Sequence, residues 1–190
     1  MKNFLKSIFL FFMVISSAFA SNKKPWVYFD LGETVINSKD MKKLSYIDGA
    51  KEYLEELKRD GYNVGLITNI PETWGADYQS KLAELKRVIA SGWVDNKEFD
   101  WSVFDEVILP LNNTELKPAP TLFMKAIVKA ESCPSVYIGD SDKEVAAASN
   151  VGMASKQFKR EDPDLYVPIA EVNSFIEHNY KLDYDHECLR

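Results

Sequence analysis

The chain has 190 residues with 23 basic and 29 acidic side chains, which give a net charge of -6 at neutral pH. This length allows one domain, and 46% hydrophobic with 27% charged residues is an ordinary globular composition. The acidic balance argues against a nucleic-acid partner, which a basic patch would attract. His178 and His186, both near the C-terminus, are the only histidines, so a histidine-centred triad or a histidine-rich metal site in the body of the chain is excluded.

Residues 1–20 have the composition of an export signal. Two lysines precede an apolar run over residues 8–20, and small residues stand at Ala18 and Ala20, the two positions that a signal peptidase reads. The run is shorter than the roughly 20 residues that a membrane-spanning helix needs. We therefore expect a cleaved signal peptide, no stable membrane anchor, and a periplasmic or secreted protein whose single domain covers residues 21–190.

Cys133 and Cys188 are the only cysteines of the chain. An exported protein meets an oxidising compartment, in which such a pair can form a disulfide. Two free thiols, one of them in the C-terminal tail, are the alternative, and the sequence leaves both open.

From residue 26 onward, runs of β-forming residues alternate with helical periodicity. The runs predict strands at 26–29, 63–68, 107–109, 135–138 and 154–158. Apolar residues spaced by three and four predict helices at 48–60, 75–90, 120–130 and 145–149, and after Pro168. In the second of these helices the predicted buried face comprises Leu82, Leu85, Val88 and Ile89. Apolar strands alternating with helices are typical of an α/β fold, here a doubly wound three-layer sandwich with a parallel sheet of about five strands.

Polar side chains follow the predicted strands at the positions where the carboxyl ends of a parallel sheet meet. Ligands of such sheets bind at this edge. Each residue alone has an ordinary alternative as a helix cap or turn residue, but all of them at one edge indicate a site. The candidates, in chain order, are Asp30, Thr68, Asn69, Lys117, Asp140, Asp142 and Glu144.

These residue types suit phosphoryl transfer. The aspartate directly after the first strand, Asp30, can attack phosphorus and form an aspartyl-phosphate. Because two anions must then approach each other, a hard divalent cation is needed, and Mg²⁺ is often held by one or two carboxylates with phosphate and water. Asp30 and Asp140 suit that metal, and either Asp142 or Glu144 supports it from behind.

The phosphoryl group itself needs hydrogen-bond donors and positive charge. The Thr68 hydroxyl, the Asn69 amide and the Lys117 ammonium can bind its oxygens and offset the charge that develops in the reaction. Lys117 is therefore predicted both as a phosphate ligand and as a catalytic residue.

The ordered set of motifs resembles the haloacid dehalogenase-like (HAD) superfamily of hydrolases over nearly the whole mature chain. The four motifs of that family are matched by DLGET at 30–34, LITN at 66–69, KP at 117–118 and GDSDKE at 139–144. The resemblance implies a phosphatase of the minimal-cap type, with Asp30 as nucleophile and with Thr68 and Lys117 at the phosphate. It further implies Mg²⁺ as cofactor, held between Asp30, Asp140 and the backbone carbonyl of Gly32.

Gly32 departs from the first motif of that family, which is Asp-x-Asp-x-Thr. The phosphatases it resembles usually carry there a second aspartate that protonates the leaving group and activates water, a role worth about 10²–10⁴ in rate. The neighbouring Glu33 is expected to point to the other side of the turn. Three functions stay open: a phosphatase that prefers aryl phosphates, a weak or inactive protein that binds a phosphorylated or anionic ligand, and a dehalogenase.

No cap domain fits between the motifs, because predicted helices and strands already fill the intervals between them. A flap near 36–47 and an aromatic segment from 93 to 104 remain, and we interpret the aromatic residues as core packing. The open edge leaves room for a small-molecule or exposed phosphate ester, or for a second subunit that acts as a roof in a homo-oligomer.

Overall fold

Residues 23–162 and 164–189 are described by the computed structural model, and the predicted export signal at 1–20 lies outside them. The strands are Trp26–Phe29 (β1), Ile36–Asn37 (β2), Ser45–Tyr46 (β3), Asn63–Ile67 (β4), Glu106–Ile108 (β5), Ser135–Gly139 (β6) and Ala154–Gln157 (β7). The α-helices are Ala50–Arg59 (α1), Tyr78–Gly92 (α2), Thr121–Lys129 (α3), Asp142–Asn150 (α4) and Val172–Asn179 (α5). Within this part of the chain, no helix is both long and apolar enough to cross a membrane.

A parallel five-stranded sheet with the order β5-β4-β1-β6-β7 forms the middle of the fold. In its central strand, Phe29 lies opposite Leu66 of β4 and Ile138 of β6. Every residue of β1 and β6 is buried. The chain runs from β1 outward to β5 and then returns to the other side for β6, so the strand order reverses beside β1. Ligands of doubly wound sheets bind outside the carboxyl ends of the strands at such a point.

Alternate side chains of the strands enter two separate cores. Val27 and Phe29 belong to the core under α1, α2 and α5, whereas Tyr28 belongs to the core under α3 and α4. Leu54 of α1 and Phe123 of α3 are buried against opposite faces of the sheet. This arrangement confirms the predicted α/β fold, a three-layer sandwich with helices on both faces.

One helix, α2, differs from its prediction in both its start and its buried face. It begins at Tyr78 rather than near residue 75, because the Asp77 side chain accepts a hydrogen bond from the backbone N–H of the third helical residue and caps the helix there. Its buried face includes Lys81, whereas the predicted Val88 is only half-buried. The predicted face was therefore rotated toward the apolar residues and omitted a buried lysine.

The flap between β1 and α1 is a short antiparallel hairpin of β2 and β3. It is anchored to the segment after α2, because Leu44 N donates to Gly92 O (2.8 Å) and Val94 N donates to Leu44 O (2.9 Å). Tyr46 of β3 stacks on Phe99, with ring centroids 5.3 Å apart. The aromatic segment therefore packs in the core, as the sequence predicted, and it supports the flap.

Cys133 and Cys188 form a disulfide whose Cα atoms are 5.6 Å apart. It joins the turn before β6 to a short 3-10 turn at His186–Leu189. Nearby, Asp185 N donates to Ser132 O (2.8 Å). Of the two alternatives that the sequence left open, the bridge is the one present, and it holds the C-terminal tail against the amino-terminal edge of the sheet.

Candidate active site

Asp30 directly follows β1 at the carboxyl edge of the sheet. Its backbone N–H donates to Ile138 O of the neighbouring β6 (2.9 Å), so the hydrogen-bond ladder extends to this residue and fixes its place. Its side chain is 14% exposed, and Oδ1 lies 2.6 Å from Lys117 Nζ. The predicted nucleophile therefore lies where the strand order reverses, with a cation against its carboxylate.

Lys117 is the centre of a buried polar cluster. Its ammonium lies 2.6 Å from Asp30 Oδ1, 2.7 Å from Glu144 Oε2 and 3.0 Å from the Tyr137 hydroxyl. An ammonium has three N–H donors, and these three oxygens can use all of them. Only 1% of the lysine side chain is exposed. Such complete pairing is what a buried charge requires, because its removal from water otherwise costs several kcal/mol.

Tyr137 completes this cluster from within β6. Its hydroxyl accepts a hydrogen bond from Lys117 and donates one to Glu144 Oε2 (2.7 Å). Burial, together with the charges of Asp30 and Glu144, raises the pKa of Tyr137 well above its ordinary value, so the phenol stays neutral and keeps its donor. Nothing in the sequence marks this residue, since a tyrosine inside an apolar strand is typical of an ordinary core.

The cluster holds more negative than positive charge. Burial raises the pKa of Asp30 to about 6, against the opposing effect of the Lys117 cation, and the Glu144 carboxylate raises it further. Burial also raises the pKa of Asp140, and Glu144 adds to that shift. Three carboxylates thus share the ammonium of Lys117, and further positive charge near them would be stabilising.

Asp140 follows β6 just as Asp30 follows β1, on adjacent strands. Its backbone N–H donates to the Thr34 hydroxyl (3.1 Å), and its carbonyl accepts from Gln157 Nε2 (3.0 Å). The carbonyl of buried Thr34 in turn accepts from the Tyr166 hydroxyl (2.6 Å). These bonds tie the loop after β6 to the loop after β1 and hold the two aspartates at one edge of the sheet.

The oxygen donors at this edge fit a magnesium ion. Mg²⁺ prefers carboxylate and carbonyl oxygens, and one or two carboxylates with waters and phosphate are often sufficient. Asp30 and Asp140 supply two carboxylates whose pKa values are raised, and Gly32 in the same loop as Asp30 offers a backbone carbonyl. Across residues 23–162 and 164–189, no group of three or more His, Cys, Asp and Glu side chains is arranged to hold a metal. A two-carboxylate magnesium site is smaller than such a group.

The two acidic residues that the sequence left open as metal support have different surroundings. Glu144 faces the cluster, with Oε2 bonded to Lys117 and Tyr137. Asp142 is exposed at the start of α4, and its carboxylate accepts a hydrogen bond from Lys143 N (2.8 Å). Glu144 is therefore the member of the pair that lies at the site, where it holds Lys117.

Thr68 and Asn69 follow β4 at the same edge. Thr68 is 5% exposed, and its backbone N–H donates to Ile108 O (3.3 Å). The Asn69 amide holds the backbone of Lys117, since its Oδ1 accepts from Lys117 N (2.8 Å) and its Nδ2 donates to Lys117 O (3.0 Å). Asn69 thus positions Lys117, and the predicted phosphate contacts of Thr68 and Asn69 stay predictions.

Glu33 is directed into the flap. Its φ of 56° lies in the left-handed region, which is rare for a residue with a side chain. Its Oε1 accepts hydrogen bonds from Ser38 N (2.8 Å) and Ser38 Oγ (3.2 Å), and its Oε2 pairs with Arg160 (3.0 Å). The carboxylate is thus committed to the flap and to Arg160, a residue from beyond β7 that the sequence did not connect with the site.

Comparison with curated proteins finds one distant phosphatase. No protein-family model matches the chain. Ribulose-1,5-bisphosphate 5-phosphatase of Halopiger xanaduensis is 28% identical over 122 residues, which are 62% of this chain and 44% of that protein. The match thus covers less than half of the length of that relative.

Solved structures carry the comparison of the fold. A HAD family enzyme of Bacteroides thetaiotaomicron, in complex with magnesium and inorganic phosphate, superposes with a TM-score of 0.50 at 14% identity, over 74% of this chain and 98% of that one. The chain has a HAD-like fold. A protein of Listeria monocytogenes serotype 4b also gives a TM-score of 0.50, at 18% identity over 78% of this chain and 94% of that one. At these identities the likeness concerns the fold, which agrees with the resemblance seen in the motifs.

Proposed function

We propose that this protein is a Mg²⁺-dependent phosphatase that hydrolyses phosphate monoesters through an aspartyl-phosphate on Asp30. The observation that carries the proposal is the 2.6 Å ion pair of Asp30 and Lys117 at the carboxyl edge of the central strand. A carboxylate oriented by a buried cation at this point of the sheet is suited to attack phosphorus. The distant relative, a phosphatase, supports the same class of activity.

In the first half of the reaction, a carboxylate oxygen of Asp30 bonds to phosphorus while the bond from phosphorus to the leaving-group oxygen breaks. Lys117 holds Oδ1 of the nucleophile and so restricts its orientation. The same ammonium and the Thr68 hydroxyl can bind the phosphoryl oxygens as their charge develops. Glu144 and Tyr137 keep the ammonium in place.

The residues that would hold magnesium are Asp30, Asp140 and Gly32, the last through its backbone carbonyl. When bound, Mg²⁺ neutralises charge between the phosphate and the carboxylates. The protein supplies the reason for that need, because burial already raises the pKa values of both aspartates. Glu144 acts on this group through Lys117 rather than through the metal in this proposal.

In the second half, water bonds to phosphorus, the bond from phosphorus to the Asp30 oxygen breaks, and inorganic phosphate leaves. Position 32 has no side chain that could protonate the leaving group in the first half. Aryl phosphates, whose leaving groups depart without a proton, should therefore be cleaved faster than alkyl phosphates. Equal turnover of both classes would contradict this part of the proposal.

A small or exposed phosphate ester is the proposed substrate. A cavity of about 330 Å³ opens beside Asp140 and Glu33, and its other lining residues include Lys39, Lys159 and Arg160. Positive side chains around an opening raise the local concentration of anions. The cavity therefore suits a substrate with a negatively charged group.

We also propose that the protein acts outside the cytoplasm, in the periplasm or as a secreted protein. The signal-like composition of residues 1–20 supports this location, and so does the Cys133–Cys188 disulfide, since disulfides persist in oxidising compartments. Cell fractionation with amino-terminal sequencing of the purified protein tests it. A cytoplasmic protein that retains Met1 would contradict it.

Gly32 favours a second candidate function, in which the protein binds a phosphorylated or anionic ligand with little or no turnover. The same cluster around Lys117 would then serve binding alone. The two functions differ in whether Asp30 forms a covalent bond to phosphorus. They are therefore separated by turnover of a substrate whose leaving group needs no proton.

Hydrolysis of p-nitrophenyl phosphate by the purified protein, with and without Mg²⁺, tests the proposed function. We expect Mg²⁺-dependent turnover that is lost in Asp30→Asn, because the amide is a poor nucleophile at the same position. Asp60→Asn, an exposed aspartate at the end of α1, is the matched control and should keep the rate. Absence of turnover in folded protein would contradict the phosphatase and leave the binding protein.

A further inference from the structure

The space beside Gly32 is occupied although the residue has no side chain. A Cβ built on Gly32 would lie 2.8 Å from Ser38 Oγ. A carboxylate oxygen of an aspartate at position 32 would lie within a similar distance of its own Cβ. The Ser38 hydroxyl, which the flap supplies just after β2, thus lies near the place that an acid side chain at position 32 would occupy.

Glu33 and Arg160 hold Ser38 in that place. Glu33 Oε1 accepts from both the backbone N–H (2.8 Å) and the hydroxyl (3.2 Å) of Ser38. Arg160 bonds to Glu33 Oε2 (3.0 Å) and to Asn37 Oδ1 (2.6 Å), so it braces the carboxylate and the neighbouring flap residue together. The left-handed φ of Glu33 is the backbone conformation that accompanies this arrangement, and such outliers often occur at functional sites.

The Ser38–Glu33 pair also opens toward the proposed chemistry. Glu33 lines the same cavity as Asp140, one of the two aspartates at the carboxyl edge of the sheet. The Glu33 side chain is 21% exposed, so a proton that reaches it can pass to solvent. Because the Ser38 hydroxyl donates its proton to Glu33, the lone pairs of its oxygen are available to a water molecule.

We propose that Ser38, with Glu33 behind it, takes the place of the missing acid side chain in the second half of the reaction. This inference rests on the proposed phosphatase function. The Ser38 hydroxyl orients the water that attacks phosphorus. The water oxygen bonds to phosphorus, the bond from phosphorus to Asp30 breaks, and its electron pair returns to the Asp30 carboxylate. The proton of the water passes to Ser38 Oγ, whose own proton moves to Glu33 Oε1 and then to solvent.

The pair serves the second half alone. A carboxylate that accepts hydrogen bonds from Ser38 and Arg160 has no proton to donate to a departing alkoxide. The preference for aryl over alkyl phosphates therefore remains. In this assignment Ser38 is a catalytic residue that touches the water, and Glu33 is a positioning residue that acts through it.

Rapid mixing of the purified protein with p-nitrophenyl phosphate and Mg²⁺ separates the two halves. Ser38→Ala should release about one p-nitrophenolate per protein in a burst and then turn over about 10²-fold more slowly than the unaltered protein, because the aspartyl-phosphate accumulates. Glu33→Gln should give the same burst with a smaller loss. Ser45→Ala is the matched control, since it removes a hydroxyl from the same hairpin that only bonds to Asn37 (3.0 Å), and it should show neither change.

A rescue variant separates the chemistry from the structure of the flap. Gly32→Asp/Ser38→Ala places a carboxylate at position 32 and removes the oxygen that a Cβ there would meet at 2.8 Å. It should recover at least about tenfold of the rate that Ser38→Ala loses. Melting temperatures of all variants show whether each is folded.

Two results would overturn the assignment of Ser38 and leave the phosphatase intact. One is Ser38→Ala with native turnover and no burst. The other is an equal loss in Ser38→Ala and Ser45→Ala without rescue by the acid at position 32, which would mean that the hydroxyl only supports the flap. Absence of Asp30-dependent turnover in the unaltered protein would instead contradict the phosphatase itself, and with it the intermediate on which Ser38 acts.

Discussion

Two lysines of this protein are buried to a similar degree, yet their partners differ. Lys81 in α2 is 0% exposed and Lys117 is 5% exposed. The Lys81 ammonium bonds to two backbone carbonyls, Glu72 O at 2.9 Å and Pro71 O at 3.4 Å. The Lys117 ammonium bonds to two carboxylates and to the Tyr137 hydroxyl. One lysine closes a turn on its own helix, and the other joins residues from three separate strand ends and loops.

The contrast shows that burial of a charge does not by itself mark a functional site. Around Lys81 the acceptors are neutral, so they form a local structural tie. Around Lys117 negative charge exceeds positive charge, and the pKa of Asp30 is raised despite its ion pair. A site that still attracts cations is prepared for a metal ion and a reaction, whereas a satisfied one is prepared for stability.

The largest expected effect separates the two lysines directly. Lys117→Met should lower turnover of p-nitrophenyl phosphate by about 10²–10³, because it removes the cation that orients Asp30 and binds the phosphoryl group. Lys81→Met should keep kcat within about threefold and lower the free energy of unfolding by about 1–3 kcal/mol, because two carbonyls lose their donor. Steady-state kinetics and urea unfolding measure both. A larger loss of turnover in Lys81→Met than in Lys117→Met would reverse the comparison.

The disulfide provides a second structural tie that is distant from Lys117. Reduction of Cys133–Cys188, or its replacement by two serines, should lower the free energy of unfolding by about 2–4 kcal/mol, because the tail is released. Turnover of the protein that remains folded should be unchanged. Thermal unfolding with and without reductant, followed by an assay at a temperature where both forms are folded, measures this. Loss of activity without loss of stability would place the tail in the function.

A smaller effect distinguishes two tyrosines on neighbouring strands. Tyr137→Phe removes the hydroxyl between Lys117 and Glu144 and should reduce kcat/KM about tenfold, since its partners are charged. Tyr28→Phe removes a hydroxyl that donates to the Ala126 carbonyl (3.3 Å) on the same side of the sheet. It should cost about 1 kcal/mol of stability and leave kcat/KM unchanged. Equal kinetics of the two variants would show that Tyr137 contributes only to packing.

The sequence predicted the sheet and its edge well because both depend on short-range patterns. Apolar runs set the strands, and the rule that strands of a parallel sheet end together brought Asp30, Lys117 and Asp140 to one place. The Lys117 contact, at 2.6 Å from Asp30, was beyond that rule but agrees with it. The disulfide was an open alternative, because its Cα separation depends on where the tail returns.

The residues that the sequence missed depend on side-chain geometry or on chain returns. Lys81 was overlooked because helical periodicity counts apolar residues, and its buried amine is satisfied by a turn that only the fold brings near. Ser38 and Arg160 meet at Glu33 through a hairpin and a segment far along the chain. Tyr137 has no distinguishing signal at all, since core tyrosines are common in strands.

Trapping of the intermediate tests the central claim most directly. The unaltered protein is mixed with a phosphate monoester that carries a radioactive phosphoryl group, in the presence of Mg²⁺, and quenched in acid within a single turnover. We predict label on the peptide that contains Asp30, released by hydroxylamine as an acyl phosphate and missing in Asp30→Asn. Turnover of the ester without label on that peptide, or with label on another residue, would contradict the account.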